Sequence, residues 1–231
     1  MKQRQIFAIG GRFNVDTWEP PLLQRHLLSL SAAPYPRICL LAGAVGDNPN
    51  AIEQFYREIG IHDCRPTHLN IYKPITRDFA DYFAGMDIIY VNGGSTRNLI
   101  TVWRDWGIDA ALRSAWEEGV VMSGTSAGMN CWFEACITDS YPPEMLALPC
   151  IGLLRGSACA HYTKRPDRAP TFRKLIAEAT IPGPGYAADD DVALHFIGDA
   201  LHEAVSARAE AGAWRLEGGS EQPLPIRQLA A

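Results

Sequence analysis

Short apolar runs alternate with longer amphipathic segments along the chain up to about residue 134. The apolar runs predict β-strands at residues 6–9, 37–42, 67–72, 86–91 and 120–122. Apolar residues at helical spacing predict helices over residues 50–59, 79–83 and 98–118, and Gly107 is expected to divide the last of these. Continuous apolar strands separated by helices are typical of a mainly parallel sheet covered on both faces. The sequence therefore predicts a three-layer α/β sandwich.

The pattern changes after about residue 180. Shorter runs at residues 192–197, 204–207 and 213–216 predict antiparallel strands that close the edge of the sheet, and residues 218–231 are predicted to be frayed. Neither an internal repeat nor a linker divides the chain. We therefore expect a single domain over residues 1–231, with its core at about residues 6–217.

Composition excludes several classes of partner. Apolar residues make up 47% of the 231 residues and charged residues 20%, which is sufficient for a packed core. Because the net charge is -5 and no long basic run occurs, binding to nucleic acid or to an anionic membrane is not expected. The N-terminal apolar stretch is too short for a signal peptide, and no window reaches the roughly 18 apolar residues of a membrane-spanning helix. We therefore expect a cytoplasmic protein.

The cysteines and histidines do not form a recognisable metal motif. Six cysteines are spread through apolar segments without a secretion signal, which favours buried free thiols over disulfides. There is no CxxC pair, and the six histidines are scattered along the sequence. The sequence therefore predicts no structural zinc site.

The segment Gly124-Thr125-Ser126-Ala127-Gly128 lies between a predicted strand and a predicted helix over residues 127–134. A strand, a G-x-S-x-G turn and a helix form a nucleophile elbow, in which the turn exposes the serine Oγ and directs the next backbone N–H toward a reacting carbonyl. The alternative interpretation is that Ser126 only caps the helix.

A nucleophilic serine needs a base and an acid. His161 follows an apolar stretch that ends where catalytic residues of α/β sheets collect. For the acid, Asp139 follows the serine by thirteen residues, whereas the run from Asp189 to Asp191 has the pattern of a solvated turn. The order Ser, Asp, His of an ordinary α/β-hydrolase would select Asp139, but that fold needs more sheet after the serine than this chain provides. The residues alone leave the acid open.

Four motifs in order resemble the peptidase E family, the aspartyl dipeptidases, whose relatives include cyanophycinases. They are VNGGSTRNL at residues 91–99, SGTSAGMNCWF at 123–133, AHYTKRPDRAPTFRKLI at 160–176 and GYAADDDVALHF at 185–196. The resemblance implies a flavodoxin-like or class I glutamine amidotransferase-like α/β sandwich, with serine where amidotransferases have cysteine.

The resemblance also implies roles for individual residues. Ser126 matches the nucleophile, His161 the base, and Asp190 the acid, with Asp189 and then Asp139 as alternatives. The remaining matches are the oxyanion-hole positions Gly93, Gly94 and Ala127, and Arg168, which would hold an acidic substrate side chain. Two positions depart from the family, which often has glutamate as the acid and asparagine where this chain has Ser95.

These matches predict a serine peptidase that hydrolyses short peptides next to the N-terminal residue, with aspartate as the candidate residue. The mechanism implied is a Ser-His-Asp triad and an acyl-enzyme, with no metal or organic cofactor. The alternatives are a cyanophycinase-like or esterase hydrolase of the same fold, or a non-catalytic binding module. The expected partner is a short peptide substrate, and the chain is expected to be a monomer or a homodimer.

Overall fold

The computed structural model describes residues 3–11, 21–141 and 145–230 of the chain. The strands are β1 (Gln5–Ile9), β2 (Arg37–Leu41), β3 (Arg65–Leu69), β4 (Ile88–Val91), β5 (Val121–Thr125), β6 (Phe133–Thr138), β7 (Leu146–Pro149), β8 (Leu154–Ala160), β9 (Gly185–Ala188), β10 (Val192–Ile197), β11 (Ala200–Ser206), β12 (Ala213–Glu217), β13 (Ser220–Pro223) and β14 (Ile226–Gln228). The α-helices are α1 (Leu22–Ser29), α2 (Pro49–Ile59), α3 (Phe79–Ala84), α4 (Thr96–Trp106), α5 (Ile108–Glu117), α6 (Ala127–Asn130) and α7 (Arg168–Ala177).

The larger sheet has eight strands in the order β14-β11-β10-β1-β5-β4-β2-β3. From β1 to β3 every neighbouring pair is parallel, while β10 is antiparallel to both β1 and β11. The central strands are buried along nearly their whole length, as expected for apolar runs covered on both faces. The predicted mainly parallel α/β sheet is confirmed.

A second sheet of six strands, in the order β13-β12-β9-β8-β6-β7, lies beside the first. One face of the eight-stranded sheet packs against α3, α4, α5 and strands of this second sheet, and the other face packs against α1 and α2. Helix α7 covers the outer face of the second sheet. The chain crosses from the second sheet to the first between β9 and β10, and this crossing contains the acidic run at residues 189–191.

Several sequence-based predictions need correction. The strand predicted at residues 213–216 is part of β12 and belongs to the second sheet rather than to the edge of the first. The tail is not frayed, because β13 pairs with β12 and β14 pairs with β11. The helix predicted over residues 127–134 is the single turn α6, and the chain then enters β6. Gly107 does divide the predicted helix into α4 and α5.

The six cysteines are all free thiols, as predicted, and every one except Cys64 is buried. Over residues 3–11, 21–141 and 145–230, no helix is both long enough and apolar enough to cross a bilayer.

Candidate active site

The carboxyl ends of β1, β4 and β5 meet at one edge of the larger sheet. Because these three strands are parallel, the residues that follow them lie side by side. Gly10 and Gly11 follow β1, Gly93 follows β4, and Ser126 follows β5. This edge therefore brings the predicted nucleophile next to the predicted oxyanion-hole loop.

Ser126 lies on a sharp turn with φ 57° and ψ -109°, a backbone conformation that non-glycine residues rarely adopt. The flanking glycines allow the turn to pack tightly, since a Cβ at Gly124 or Gly128 would lie 2.5 Å or 2.1 Å from the Val91 carbonyl oxygen. The Ser126 side chain makes no capping hydrogen bond to α6. The helix-cap interpretation is therefore wrong, and the Ser126 hydroxyl is left to interact with another group.

His161 lies directly after β8 and faces Ser126. Its Nε2 lies 2.8 Å from Ser126 Oγ, and its Nδ1 hydrogen-bonds to Asp190 Oδ1. With Asp190 ionised, Nδ1 carries the hydrogen and donates it to the carboxylate, so Nε2 has its lone pair toward the serine hydroxyl. This tautomer is the one that can accept the serine proton.

The Asp190 carboxylate makes hydrogen bonds with two side chains, those of His161 and Lys164. Lys164 Nζ donates to Asp190 Oδ2 at 2.9 Å, while His161 occupies Oδ1. Burial disfavours the charged form, but the hydrogen bonds from His161 and Lys164 outweigh it and hold the pKa of Asp190 well below its usual value near 3.8. The acid next to His161 is therefore ionised at neutral pH.

The two alternative acids lie elsewhere. Asp189 is buried, and its carboxylate accepts hydrogen bonds from the Thr163 N–H and hydroxyl and from the Gly212 N–H. Asp139 accepts from Arg168 at 2.9 Å and from Arg165 at 2.8 Å. The structure brings Asp190 to His161, and it gives Asp189 and Asp139 other partners.

Arg168 is not presented to a substrate. Its side chain is only 6% exposed, and its guanidinium donates to the Ala160 carbonyl oxygen at 3.1 Å as well as to Asp139. Burial opposes ionisation of Asp139, but the charge and hydrogen bond of Arg168, a backbone hydrogen bond and the charge of Arg165 together outweigh it and lower the pKa of that carboxyl. The pair links the start of α7 to the end of β6, so the structure does not support the predicted substrate-binding role of Arg168.

Gly93 lies close to the serine. A Cβ at this position would be 3.2 Å from Ser126 Cβ and 3.7 Å from Ser126 Oγ. Among the described residues, the backbone N–H groups of Gly93, Gly94 and Ala127 have no hydrogen-bond acceptor. They are therefore available to donate to a group bound at Ser126.

The sequence profile of peptidase family S51 matches residues 6–204, which is most of the chain. The chain belongs to peptidase family S51. It is also 43% identical over 231 residues to the "uncharacterized peptidase YgaJ" of Bacillus subtilis (strain 168), covering 98% of this chain and 99% of that protein. The predicted resemblance to this peptidase family is confirmed.

Two solved structures share the fold of this S51 chain. One is a peptidase from an acI-B1 Actinobacterium, with a TM-score of 0.74 and 18% identity, covering 97% of this chain and 95% of that chain. The other is a putative peptidase E protein from Listeria monocytogenes EGD-e, with a TM-score of 0.63 and 16% identity, covering 90% of this chain and 100% of that chain. At these identities the likeness supports the fold alone.

The end of β1 is the part of the S51 site to which the sequence analysis assigned no role. Three successive carbonyl oxygens, those of Ile9, Gly10 and Gly11, accept the N–H groups of Ser126, His161 and Asp191 at 3.0, 2.9 and 3.1 Å. One short segment therefore fixes the backbone of all three distant pieces of the site. The signal in the sequence was the glycine pair at the end of a predicted strand, which local patterns cannot distinguish from an ordinary turn.

Proposed function

We propose that this chain is a serine peptidase that cleaves short peptides next to their N-terminal residue, with Ser126 as nucleophile, His161 as base and Asp190 as the orienting acid. The observation that carries the proposal is the continuous hydrogen-bonded series from Ser126 Oγ through His161 to Asp190, on a strained turn at the sheet edge. Membership of peptidase family S51 supports the same reaction class.

The geometry suits an acyl-enzyme mechanism. His161 Nε2 removes the hydroxyl proton as Ser126 Oγ attacks the peptide carbonyl, and the same nitrogen then protonates the leaving amine. A water molecule, activated by His161, hydrolyses the ester and restores the serine. Throughout, Asp190 stabilises the imidazolium form and keeps the ring in place, while Lys164 holds the second carboxylate oxygen.

The negative charge of the tetrahedral intermediate needs donors that are already in position. The N–H groups of Ala127 and of Gly93 or Gly94 fit this role because Ala127 follows Ser126, Gly93 lies beside it with Gly94 next in the chain, and none of the three has an acceptor among the described residues. Removing one such donor typically costs about 2.7–4 kcal/mol of transition-state stabilisation. Because α6 is a single turn, backbone N–H groups rather than a long helix dipole would supply this stabilisation.

We propose N-terminal aspartate as the first substrate class to test, on the family resemblance. Arg168 is not the residue that would recognise the aspartate side chain, because its guanidinium is buried against Asp139 and Ala160. The proposed reaction and the proposed preference therefore have different support, and the experiment must separate them.

The test compares the wild type with Ser126→Ala on the dipeptides Asp-X, Glu-X, Leu-X and β-Asp-Arg. Removing the nucleophile of a triad lowers kcat on the order of 10⁶-fold. Ser114→Ala is the matched control, because it removes an exposed hydroxyl on α5 and should leave activity unchanged. A serine-reactive phosphonate should label the wild type and fail to label Ser126→Ala.

Each outcome has a distinct reading. Ser126-dependent cleavage led by Asp-X supports both the reaction and the preference, whereas preferred cleavage of Leu-X would keep the mechanism and contradict the preference. Preferred cleavage of β-Asp-Arg would favour the cyanophycinase-like alternative. Activity that survives Ser126→Ala would refute Ser126 as nucleophile. A wild type that neither reacts with the phosphonate nor cleaves any dipeptide would favour the non-catalytic module.

A further inference from the structure

A second cluster of chemically active side chains lies on the α1 face of the larger sheet. It consists of His26 on α1, His195 on β10 and Glu203 on β11, and one potential ligand atom from each lies within 4.8 Å of the other two. His26 Nε2 is 3.6 Å and His195 Nδ1 is 4.0 Å from Glu203 Oε1. His195 and Glu203 are direct cross-strand partners, so the sheet itself fixes two of the three positions.

His195 is oriented by a hydrogen-bonded relay that determines its tautomer. Gln5 Nε2 donates to the Leu30 carbonyl oxygen at 3.2 Å, which leaves Gln5 Oε1 facing His195 Nε2 at 3.0 Å. Because an amide oxygen only accepts, Nε2 of the imidazole must carry the hydrogen. The lone pair therefore lies on Nδ1, the atom that faces Glu203.

The inward-facing nitrogens of His195 and His26 are left unsatisfied within the described part of the chain. His195 Nδ1 and His26 Nε2 are both buried and neither has a donor or acceptor among the described residues. The His195 side chain is only 5% exposed, so its Nδ1 lone pair is removed from solvent. Buried polar atoms are almost always satisfied, and such exceptions require a physical explanation.

We propose that His26 Nε2, His195 Nδ1 and the Glu203 carboxylate form a binding site for a divalent transition-metal ion of the zinc class. Two imidazole nitrogens and one carboxylate are a donor set that Zn²⁺ uses, with bond lengths near 2.0–2.2 Å and ligand atoms about 3.3 Å apart. The observed separations are wider, so the site closes by small shifts of the three side chains. The Gln5 contact is the outer hydrogen bond that commonly fixes a metal-bound histidine.

Arg227 is the one cation paired with Glu203 among the described residues. It donates to both carboxylate oxygens at 2.8 Å, which orients the carboxylate but opposes a second positive charge. The Arg227 side chain is 52% exposed, so solvent screens much of that repulsion. The metal site is independent of the proposed peptidase reaction, because none of its residues belongs to the triad.

The test uses the full chain without a polyhistidine tag, stripped of metal with a chelator and titrated with Co²⁺. Tetrahedral Co²⁺ absorbs in the visible range, and Zn²⁺ should displace the signal. We expect one Co²⁺ per chain, and His26→Gln and Glu203→Gln should each weaken binding by at least about tenfold, the scale on which even outer-shell changes act. His62→Gln is the matched control, because His62 lies outside the cluster.

Folding of each variant is checked by circular dichroism, and if Glu203→Gln does not fold, His26→Gln decides the result. A rise in the Tm of the wild type with Zn²⁺ but not with Mg²⁺, absent in His26→Gln, supports the proposal. Wild type that shows no saturable Co²⁺ absorption would overturn it. Equal affinity of the wild type and both cluster variants would also overturn it, because the ion would then bind elsewhere.

Discussion

Replacing Gly11 with alanine should lower kcat/KM about a hundredfold although Gly11 takes no part in the chemistry. A Cβ at this position would lie 2.0 Å from Asp190 Oδ1 and 2.3 Å from His161 Nδ1, where ordinary van der Waals contact begins at 3.4 Å. The added methyl group therefore enters the contact between base and acid. Residue 11 must be glycine because the His161–Asp190 pair occupies the space beside it.

The size of the effect follows from how far the atoms must move. Relief of the clash requires a displacement of more than about 1 Å, and a misplacement of that size in a catalytic group typically costs on the order of 10²-fold in rate. A hundredfold loss corresponds to about 2.7 kcal/mol of transition-state stabilisation. Overpacking adds a stability cost of about 1–3 kcal/mol. Movement of the Gly11 backbone away from the pair would break the hydrogen bond from the Asp191 N–H to the Gly11 carbonyl.

The assay measures kcat/KM and urea unfolding for Gly11→Ala with Gly219→Ala as the matched control. Gly219 has no atom within 4 Å of its added Cβ and should tolerate alanine without loss. We expect Gly11→Ala to remain folded, to lose at least about 10²-fold in kcat/KM, and to lose reactivity toward a serine-directed phosphonate. If folded Gly11→Ala retained wild-type kcat/KM, the reasoning would be wrong, because the triad would then tolerate a methyl group between its base and its acid.

Three further predictions separate the roles of the acids and of Arg168. Asp190→Asn should lower kcat about 10⁴-fold, because the imidazole would no longer be held in the tautomer that accepts the serine proton. Asp189→Asn should mainly lower the free energy of unfolding, by about 1–3 kcal/mol. Kinetics and urea unfolding distinguish the two variants. The pKa of Asp190 is lower in the native state than its usual value near 3.8, so the ionised carboxylate stabilises the fold at pH values above 3.8. The difference in unfolding free energy between wild type and Asp190→Asn should therefore shrink as the pH falls below 3.8. Arg168→Met should lower the free energy of unfolding by about 1–3 kcal/mol through loss of the Ala160 and Asp139 contacts, while the ratio of kcat/KM for Asp-X and Leu-X stays unchanged.

The parts of the site that the sequence could predict are those with a local signature. Ser126 lies between two glycines at the junction of a strand and a helix, and the structure shows why both glycines are needed against the Val91 carbonyl. Asp190 has no such signature, because a run of three consecutive aspartates has the sequence pattern of a solvated turn. Only the resemblance placed it beside His161, and the structure shows that its neighbours Asp189 and Asp191 are buried.

The second sheet and the tail could not be predicted from local pattern. A run such as Ala213–Glu217 has the same alternation whichever sheet it joins, and the choice depends on the distant partner β9. The terminal strands Ser220–Pro223 and Ile226–Gln228 are short and largely exposed, so they lack the apolar signal of a buried strand. These two strands form because they pair with β12 and β11, and such pairing depends on the tertiary structure. The contacts of Arg168 were equally out of reach of local pattern, since its partner Asp139 is distant in sequence.

The assembly of the site shows how three remote segments reach the same place. Ser126, His161 and Asp191 all have positive φ. Their backbone N–H groups donate to three different carbonyl oxygens in succession at the end of β1. Each of the three residues lies at a turn or bend, so each segment changes direction at the point where its N–H is held. Because the three acceptors are consecutive, one short segment at the end of β1 sets the relative positions of the nucleophile, the base and the residue that follows the acid. The arrangement explains why a glycine outside every catalytic motif should control the geometry of the triad.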